Sequence, residues 1–209
     1  TNLGRIFRPE QEPLTPNWRW LPIGSHARSQ PVVLTGTDIH RPVGQRRGEG
    51  RPEFGPEVRL DIECELAYIV GTGSKLGDRI ATGDFDQHVF GMAIFNDWSA
   101  RGIQAWEYVP LGPHLGKSFA SSLSAWITPM LALTEARVPT PEQGDQIADL
   151  KMDEPWGLDI ALEVSLNGEV VSRPPYKETF WSPAQMLAQL TVNGASASTG
   201  DFFASGTIS

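Results

Sequence analysis

Cysteine is almost missing from this chain: Cys64 stands alone among 209 residues, so no internal disulfide framework can form. A reducing compartment suits that usage. Histidine is scarce as well. His26, His40, His88 and His114 make no zinc-type spacing with Cys64 or with one another. There is no Gly-x-Ser-x-Gly elbow and no phosphate-binding glycine loop, so neither a serine hydrolase nor a nucleotide enzyme is supported. Basic residues are few, 17 against 25 acidic, and the formal net charge of −8 makes the chain a poor partner for nucleic acid or an anionic membrane. Long apolar runs are lacking. The longest uncharged stretch, Ser118 to Thr134, is too short to span a bilayer and is interrupted by Pro129. The first residues carry no basic or apolar run of the kind that marks a signal peptide.

Turn formers are abundant instead. With 21 Gly and 17 Pro, the chain favours many short elements over a helical bundle, while a hydrophobic fraction of 40% is enough for a core. No internal repeat is visible. Pro31 to Thr35 reads as a short strand, and Gly36 to Glu57 as a long exposed loop rich in Gly, Pro, Arg and Glu. Leu60 to Val70 alternates apolar and acidic residues and reads as one strand, with Leu60, Ile62, Cys64, Leu66 and Tyr68 toward a core. Val89 to Phe95 reads as a buried strand. Ser99 to Tyr108 has helical character, with Asp97 or Ser99 as a cap. Leu158 to Leu166 and Glu169 to Ser172, joined by Asn167-Gly168, read as a hairpin, and Ser182 to Leu190 as a capped helix with Pro183 at its first position. The expected fold is mostly β with short helices, of the α+β class, without βαβ repeats, over one domain covering residues 1–209.

Three segments carry candidate chemistry. Glu63 and Glu65 on a strand point to one side, roughly 6–7 Å apart. Such a pair repels unless a cation lies between, for which Ca²⁺ or Mg²⁺ would serve; an exposed acidic strand face is the plain alternative. Asp97, between an apolar strand and a helix, is placed either to complete that site or to cap the helix. Arg101, Gln104 and Tyr108 share one helical face and offer a guanidinium, an amide and a phenol, either as a binding set for a carboxylate and carbonyls or as an exposed polar stripe. The loop from Tyr108 to Phe119 holds two Pro and two Gly and leads to Lys117, which could neutralise negative charge on a substrate or simply face solvent.

In order along the chain, Asp61-Ile62-Glu63-Cys64-Glu65, Asn96-Asp97-Trp98-Ser99-Ala100-Arg101-Gly102-Ile103-Gln104, Trp106-Glu107-Tyr108-Val109-Pro110-Leu111-Gly112-Pro113 and Gly116-Lys117-Ser118-Phe119 resemble the fumarylacetoacetase branch of the fumarylacetoacetate hydrolase family. Pro16-Asn17-Trp18, Arg41-Pro42-Val43-Gly44-Gln45, Asp153-Glu154-Pro155 and Ala204 to Ser209 extend the likeness over essentially the whole chain. The resemblance implies a β-roll catalytic domain, incomplete at both ends, from a cytoplasmic homodimer. The activity implied is metal-dependent hydrolysis of a C–C bond in the β-diketo acid 4-fumarylacetoacetate, giving fumarate and acetoacetate at the end of tyrosine and phenylalanine breakdown. Glu63, Glu65 and Asp97 match the family's metal ligands, and Lys117 and Ser121 a second cation position where the family usually has Thr. Arg8, Arg101, Gln104, Tyr108, Lys117 and Thr207 match its substrate-binding residues. Lys117, Arg101 and Gln104 are implied to stabilise the oxyanion and then the departing carbanion.

Departures from the pattern are equally specific. The resemblance sets the general-base His, a fourth metal carboxylate and a substrate-binding Tyr before Thr1, and the Glu that orients the His after Ser209, so the 209 residues alone are expected to be inactive. Ser25-His26-Ala27-Arg28 stands where the family has Tyr-His-Gly-Arg, and Cys64 replaces an aliphatic residue. The alternatives are a relative acting on another β-diketo acid, such as an acylpyruvate hydrolase or an oxaloacetate decarboxylase, or a truncated non-enzymatic copy.

Overall fold

A computed structural model describes residues 4–5 and 9–208. Among the described residues there are fourteen short strands: β1 Val32–Leu34, β2 Val43–Arg46, β3 Glu53–Pro56, β4 Leu60–Asp61, β5 Cys64–Val70, β6 Val89–Asn96, β7 Ser99–Ala100, β8 Ser121–Leu123, β9 Thr128–Pro129, β10 Arg137–Pro139, β11 Trp156–Leu158, β12 Val164–Leu166, β13 Glu169–Ser172 and β14 Phe202–Ala204. The two main helices are α1, Arg101–Glu107, and α2, Pro183–Thr191. The architecture is therefore mostly β with few short helices. No helix is long and apolar enough to cross a membrane, among the described residues. The chain divides into two units, Thr1–Glu63 with Asn96–Ser122, and Cys64–Phe95 with Leu123–Ser209.

The second unit holds the larger core. β5 pairs antiparallel with β14 on one side and neighbours β6 on the other, and β9 pairs with β6. Leu66 and Tyr68 of β5 turn inward onto Phe85, Leu158, Tyr176 and Leu187, as the alternation predicts. The Tyr68 ring stacks on Phe203 with centroids 5.4 Å apart, and its hydroxyl meets that of Tyr176 at 2.6 Å. α2 starts with a complete capping box: the Ser182 hydroxyl accepts from Ala184 N and the Gln185 amide oxygen accepts from Ser182 N. The β12–β13 hairpin turns at Asn167 (φ 53°) and Gly168 (φ 84°), the positive angles that a two-residue turn demands.

In the first unit, β2 and β3 form an antiparallel hairpin with Val43 opposite Pro56. A Cβ on Gly44 would lie 2.6 Å from the end of the Ile103 side chain, so the hairpin sits directly against α1. β4 pairs with β7 through Leu60–Ala100 and Asp61–Ser99, and Ser121 N donates to Pro31 O beside β1.

Several expectations need correcting. Gly36 to Glu57 is not one exposed loop; the β2–β3 hairpin lies inside it, held by tertiary contacts rather than by an apolar pattern of its own. The strand read from Leu60 to Val70 breaks at Ile62–Glu63, because β4 pairs with β7 while β5 pairs with β14. Leu158 and Leu166 belong to separate strands, β11 and β12. β6 is not wholly buried: Phe90 and Ile94 are 54% and 48% exposed. Neither Asp97 nor Ser99 caps α1, whose N-cap residue is Ala100 without a side-chain hydrogen bond.

Candidate active site

The break after β4 gives the site its shape. Glu63 leaves the ladder there, and its backbone is held by polar contacts instead: Asn96 Oδ1 accepts from Glu63 N at 3.1 Å and Glu63 O accepts from Asp97 N at 3.2 Å. These two bonds fix Asp97 beside Glu63. The Ser99 hydroxyl donates to Asp97 O at 3.0 Å, which occupies the hydroxyl that would otherwise cap α1.

Two cations converge on these carboxylates. Lys117 Nζ donates to Glu63 Oε2 and, at 2.9 Å, to Asp97 Oδ2. Arg101 Nη2 lies 2.7 Å from Glu63 Oε1, Arg101 Nε donates to Asp61 Oδ2 at 2.8 Å, and Arg101 Nη1 donates to Gln104 Oε1 at 3.1 Å. Both oxygens of Glu63 are thus ion-paired in a site almost closed to water, with Glu63 5% and Arg101 6% exposed. Burial pushes the Glu63 carboxyl up, but Lys117 first and Arg101 next outweigh it and hold it below the usual range. For Asp97, burial raises the carboxyl, and the Glu63 charge adds to it; Lys117 and Arg101 do not fully compensate. Two carboxylates on one ammonium therefore differ in their hold on a proton.

Glu65 is 4% exposed and its Oε2 accepts from Gly206 N at 3.0 Å, next to the exposed Thr207. It lies two residues along the backbone from Glu63. The donor set is all oxygen, which fits a hard divalent cation better than zinc. Asp61, Glu63 and Asp97 outnumber the cations Arg101 and Lys117 that pair with them.

The loop that brings Lys117 in is tightly built. Ala100 N donates to Gly116 O at 2.8 Å, and a Cβ on Gly116 would meet the Gln104 backbone at 2.7 Å. Glu107 Oε1 accepts from His114 N at 2.8 Å and from Gly116 N at 2.7 Å. The other end of α1 is held by Glu57, a buried carboxylate that accepts from Val58 N, Arg59 N and Ile103 N at 2.7–2.8 Å. Burial tends to raise the Glu57 carboxyl, and the N–H groups of Arg59, Ile103, Val58 and Gly102 override that and lower it. Glu57 and Glu107 escape a sequence reading because a carboxylate that accepts from backbone N–H groups leaves no spacing signature.

Asp61, Glu63, Asp97, Arg101, Gln104 and Lys117 are thus joined by direct bonds. Tyr108 follows α1 and is half-buried, and Ser121 is buried at the start of β8. Ser25, at the position where the resemblance expects Tyr, is exposed. Arg8 lies outside the described residues.

Comparison with known proteins gives a consistent result. Residues 14–209 match the family described as "Fumarylacetoacetate (FAA) hydrolase C-terminal". The chain is 45% identical over 218 residues to fumarylacetoacetase of Rattus norvegicus and 46% identical over 217 residues to that of Oryza sativa subsp. japonica, in both cases over 100% of its own length. It spans about half the length of these relatives, 52% and 51%. Among solved structures, the fumarylacetoacetate hydrolase of Exiguobacterium antarcticum superposes with a TM-score of 0.53 at 24% identity, over 72% of this chain and 44% of that one. A 5-carboxymethyl-2-hydroxymuconate delta-isomerase from Mycobacterium smegmatis gives a TM-score of 0.53 at 18% identity, over 84% and 66%; at these identities the likeness concerns the fold.

Proposed function

Because the chain belongs to the fumarylacetoacetate hydrolase family, we propose that it forms the metal-bearing catalytic domain of an enzyme that hydrolyses 4-fumarylacetoacetate to fumarate and acetoacetate. The observation that carries this reading is the pairing of Glu63 and Asp97 with Lys117, and of Glu63 with Arg101, at the residues that match the family's metal and substrate positions. It is supported by relatives named fumarylacetoacetase at about 45% identity along the whole chain.

Glu63, Glu65 and Asp97 would hold Ca²⁺ or Mg²⁺, and Lys117 and Ser121 would border a second cation; the bound ion supplies positive charge that polarises the diketo oxygens. Arg8, Arg101, Gln104, Tyr108, Lys117 and Thr207 would bind the substrate. Arg101 reaches it as a preorganised donor, since Asp61, Glu63 and Gln104 already fix its guanidinium, and each Nη carries a second N–H. The Lys117 ammonium, pinned on the carboxylates, would meet the negative charge that develops on the attacked carbonyl and then on the leaving acetoacetate carbanion. Gln104 would steady the same oxygen. A general base to activate water is not among these residues, and the resemblance sets it outside the chain. The working enzyme would be a cytoplasmic homodimer acting in tyrosine and phenylalanine breakdown.

The test is turnover of fumarylacetoacetate by the longest natural reading frame that contains this segment, assayed beside an acylpyruvate and repeated after chelation. Chelator-sensitive loss of fumarylacetoacetate absorbance, restored by Ca²⁺ or Mg²⁺, is expected. Turnover of the acylpyruvate alone would replace this substrate with that of another branch of the family.

A further inference from the structure

We infer that Glu107 is a positioning residue for Lys117, an inference that rests on the reading above in which Lys117 meets charge on the substrate. Glu107 ends α1, the helix that carries Arg101 and Gln104. One of its oxygens, Oε1, accepts two backbone hydrogen bonds, from His114 N and Gly116 N. Both donors belong to the loop that delivers Lys117, and the second belongs to the residue just before it.

Gly116 is located from three directions. Glu107 takes its N–H, Ala100 donates to its carbonyl at 2.8 Å, and its α-carbon rests on the Gln104 backbone, where a Cβ would find atoms at 2.7–2.9 Å. Lys117 N donates to His114 O at 3.1 Å, so His114 too is tied to the lysine that follows. The Glu107 carboxylate therefore closes the loop onto the end of the helix, and the ammonium of Lys117 reaches Glu63 and Asp97 from a backbone whose place that carboxylate sets. The bonds of Glu107 Oε1 go to the loop backbone and not to Glu63 or Asp97. It acts through the direction from which Lys117 enters. Hydrogen bonds to an ionised acceptor are the stronger kind, and two on one oxygen make the anchor hard to replace with water. Anchor and helix are one element, so Lys117 keeps register with Arg101 and Gln104.

The experiment uses the full natural reading frame, loaded with Ca²⁺ or Mg²⁺, as wild type, Glu107→Ala, Glu107→Gln, Lys117→Met and the double variant Glu107→Ala/Lys117→Met. Displacing a catalytic group by about an ångström costs on the order of 100-fold in rate, so Glu107→Ala is expected to lower kcat by about that factor with KM changed far less. Glu107→Gln keeps a carbonyl acceptor and is expected to recover most of the loss. The double variant should be no slower than Lys117→Met alone, since a misplaced lysine and an absent one are equivalent. Losses that multiply in the double variant would overturn the inference and leave Glu107 a purely structural group. Amide hydrogen exchange, read without substrate, separates the two proposals. Faster exchange at His114 and Gly116 in Glu107→Ala, in a frame that turns over no diketo acid, would strike down the activity and uphold the anchoring. Unchanged exchange at those amides would overturn the anchoring even in an active enzyme.

Discussion

Arg101 Nη2 faces Glu63 Oε1 at 2.7 Å with both side chains almost wholly withdrawn from solvent. An ion pair so placed stabilises little beyond an apolar pair of similar size, but it is costly to break on one side only. Glu63→Gln removes the buried anion that Arg101 and Lys117 share, leaving Arg101 paired with Asp61 and Lys117 with Asp97. The variant is expected to lose roughly 3 kcal/mol of stability in denaturant unfolding. Calorimetric titration with Ca²⁺ or Mg²⁺ should show binding weakened beyond detection, whereas Glu63→Asp should retain some. Tight binding in Glu63→Gln would remove this residue from the ligand set.

Glu57 gives the fold a dependence on pH. Its carboxyl is lowered in the folded chain, so the stability it contributes is present above the unfolded value and is lost as pH falls through the folded one. Glu57→Gln should therefore flatten the acid side of the stability profile, and at neutral pH it should cost about 2 kcal/mol, as backbone donors at the start of α1 trade a charged acceptor for a neutral one. Chemical denaturation across the acid range would show it; an unchanged acid limb would rule out Glu57 as its source.

The hydroxyls of Tyr68 and Tyr176 satisfy each other inside an apolar core. Tyr176→Phe leaves the Tyr68 hydroxyl without that partner and should destabilise by about 1–3 kcal/mol, whereas Tyr68→Phe/Tyr176→Phe should be closer to wild type than either single change. Burial pushes the Tyr176 phenol up to about 12, and Tyr68 is raised well above its ordinary value by the same cause. Groups raised on folding contribute stability that is full below the unfolded value and lost as pH climbs through the folded one. Alkaline unfolding should start near pH 10, and it should be milder in the double variant when followed by tyrosinate absorbance.

Gly116→Ala tests the packing under Lys117. Its Cβ would sit 2.7–2.9 Å from backbone and Cβ atoms of Gln104, which cannot move away without shifting α1. We expect a loss of at least tenfold in kcat, with the global unfolding midpoint affected less than in Glu63→Gln. Full activity in Gly116→Ala would mean that the loop can lift without moving the ammonium.

Elements written in local chemistry were legible in the sequence. Asn167-Gly168 carried its turn, Ser182 with Gln185 its cap, and the alternation of Leu66 and Tyr68 the inward face of β5. The β2–β3 hairpin was not, because what holds it is Ile103, remote along the chain, whose side chain lies behind Gly44 and whose N–H donates to Glu57 just after β3. The break at Glu63 was hidden in an unbroken alternation, since only the exchange of pairing partners between β4 and β5 reveals it. At the site, residue types and their spacing raised Glu63, Glu65, Asp97, Arg101, Gln104 and Lys117 as candidates beside plain surface or capping roles. The resemblance added the roles, while Glu57 and Glu107 became visible only through the amides they hold.

The lone thiol of Cys64 is partly buried, and burial together with the neighbouring Glu65 charge raises its pKa, so little thiolate forms at neutral pH. In practical terms Cys64 is expected to label with maleimides more slowly than a fully exposed cysteine. A single cysteine introduced at the exposed Glu169 of the β12–β13 hairpin is expected to take a fluorophore or spin label ahead of it.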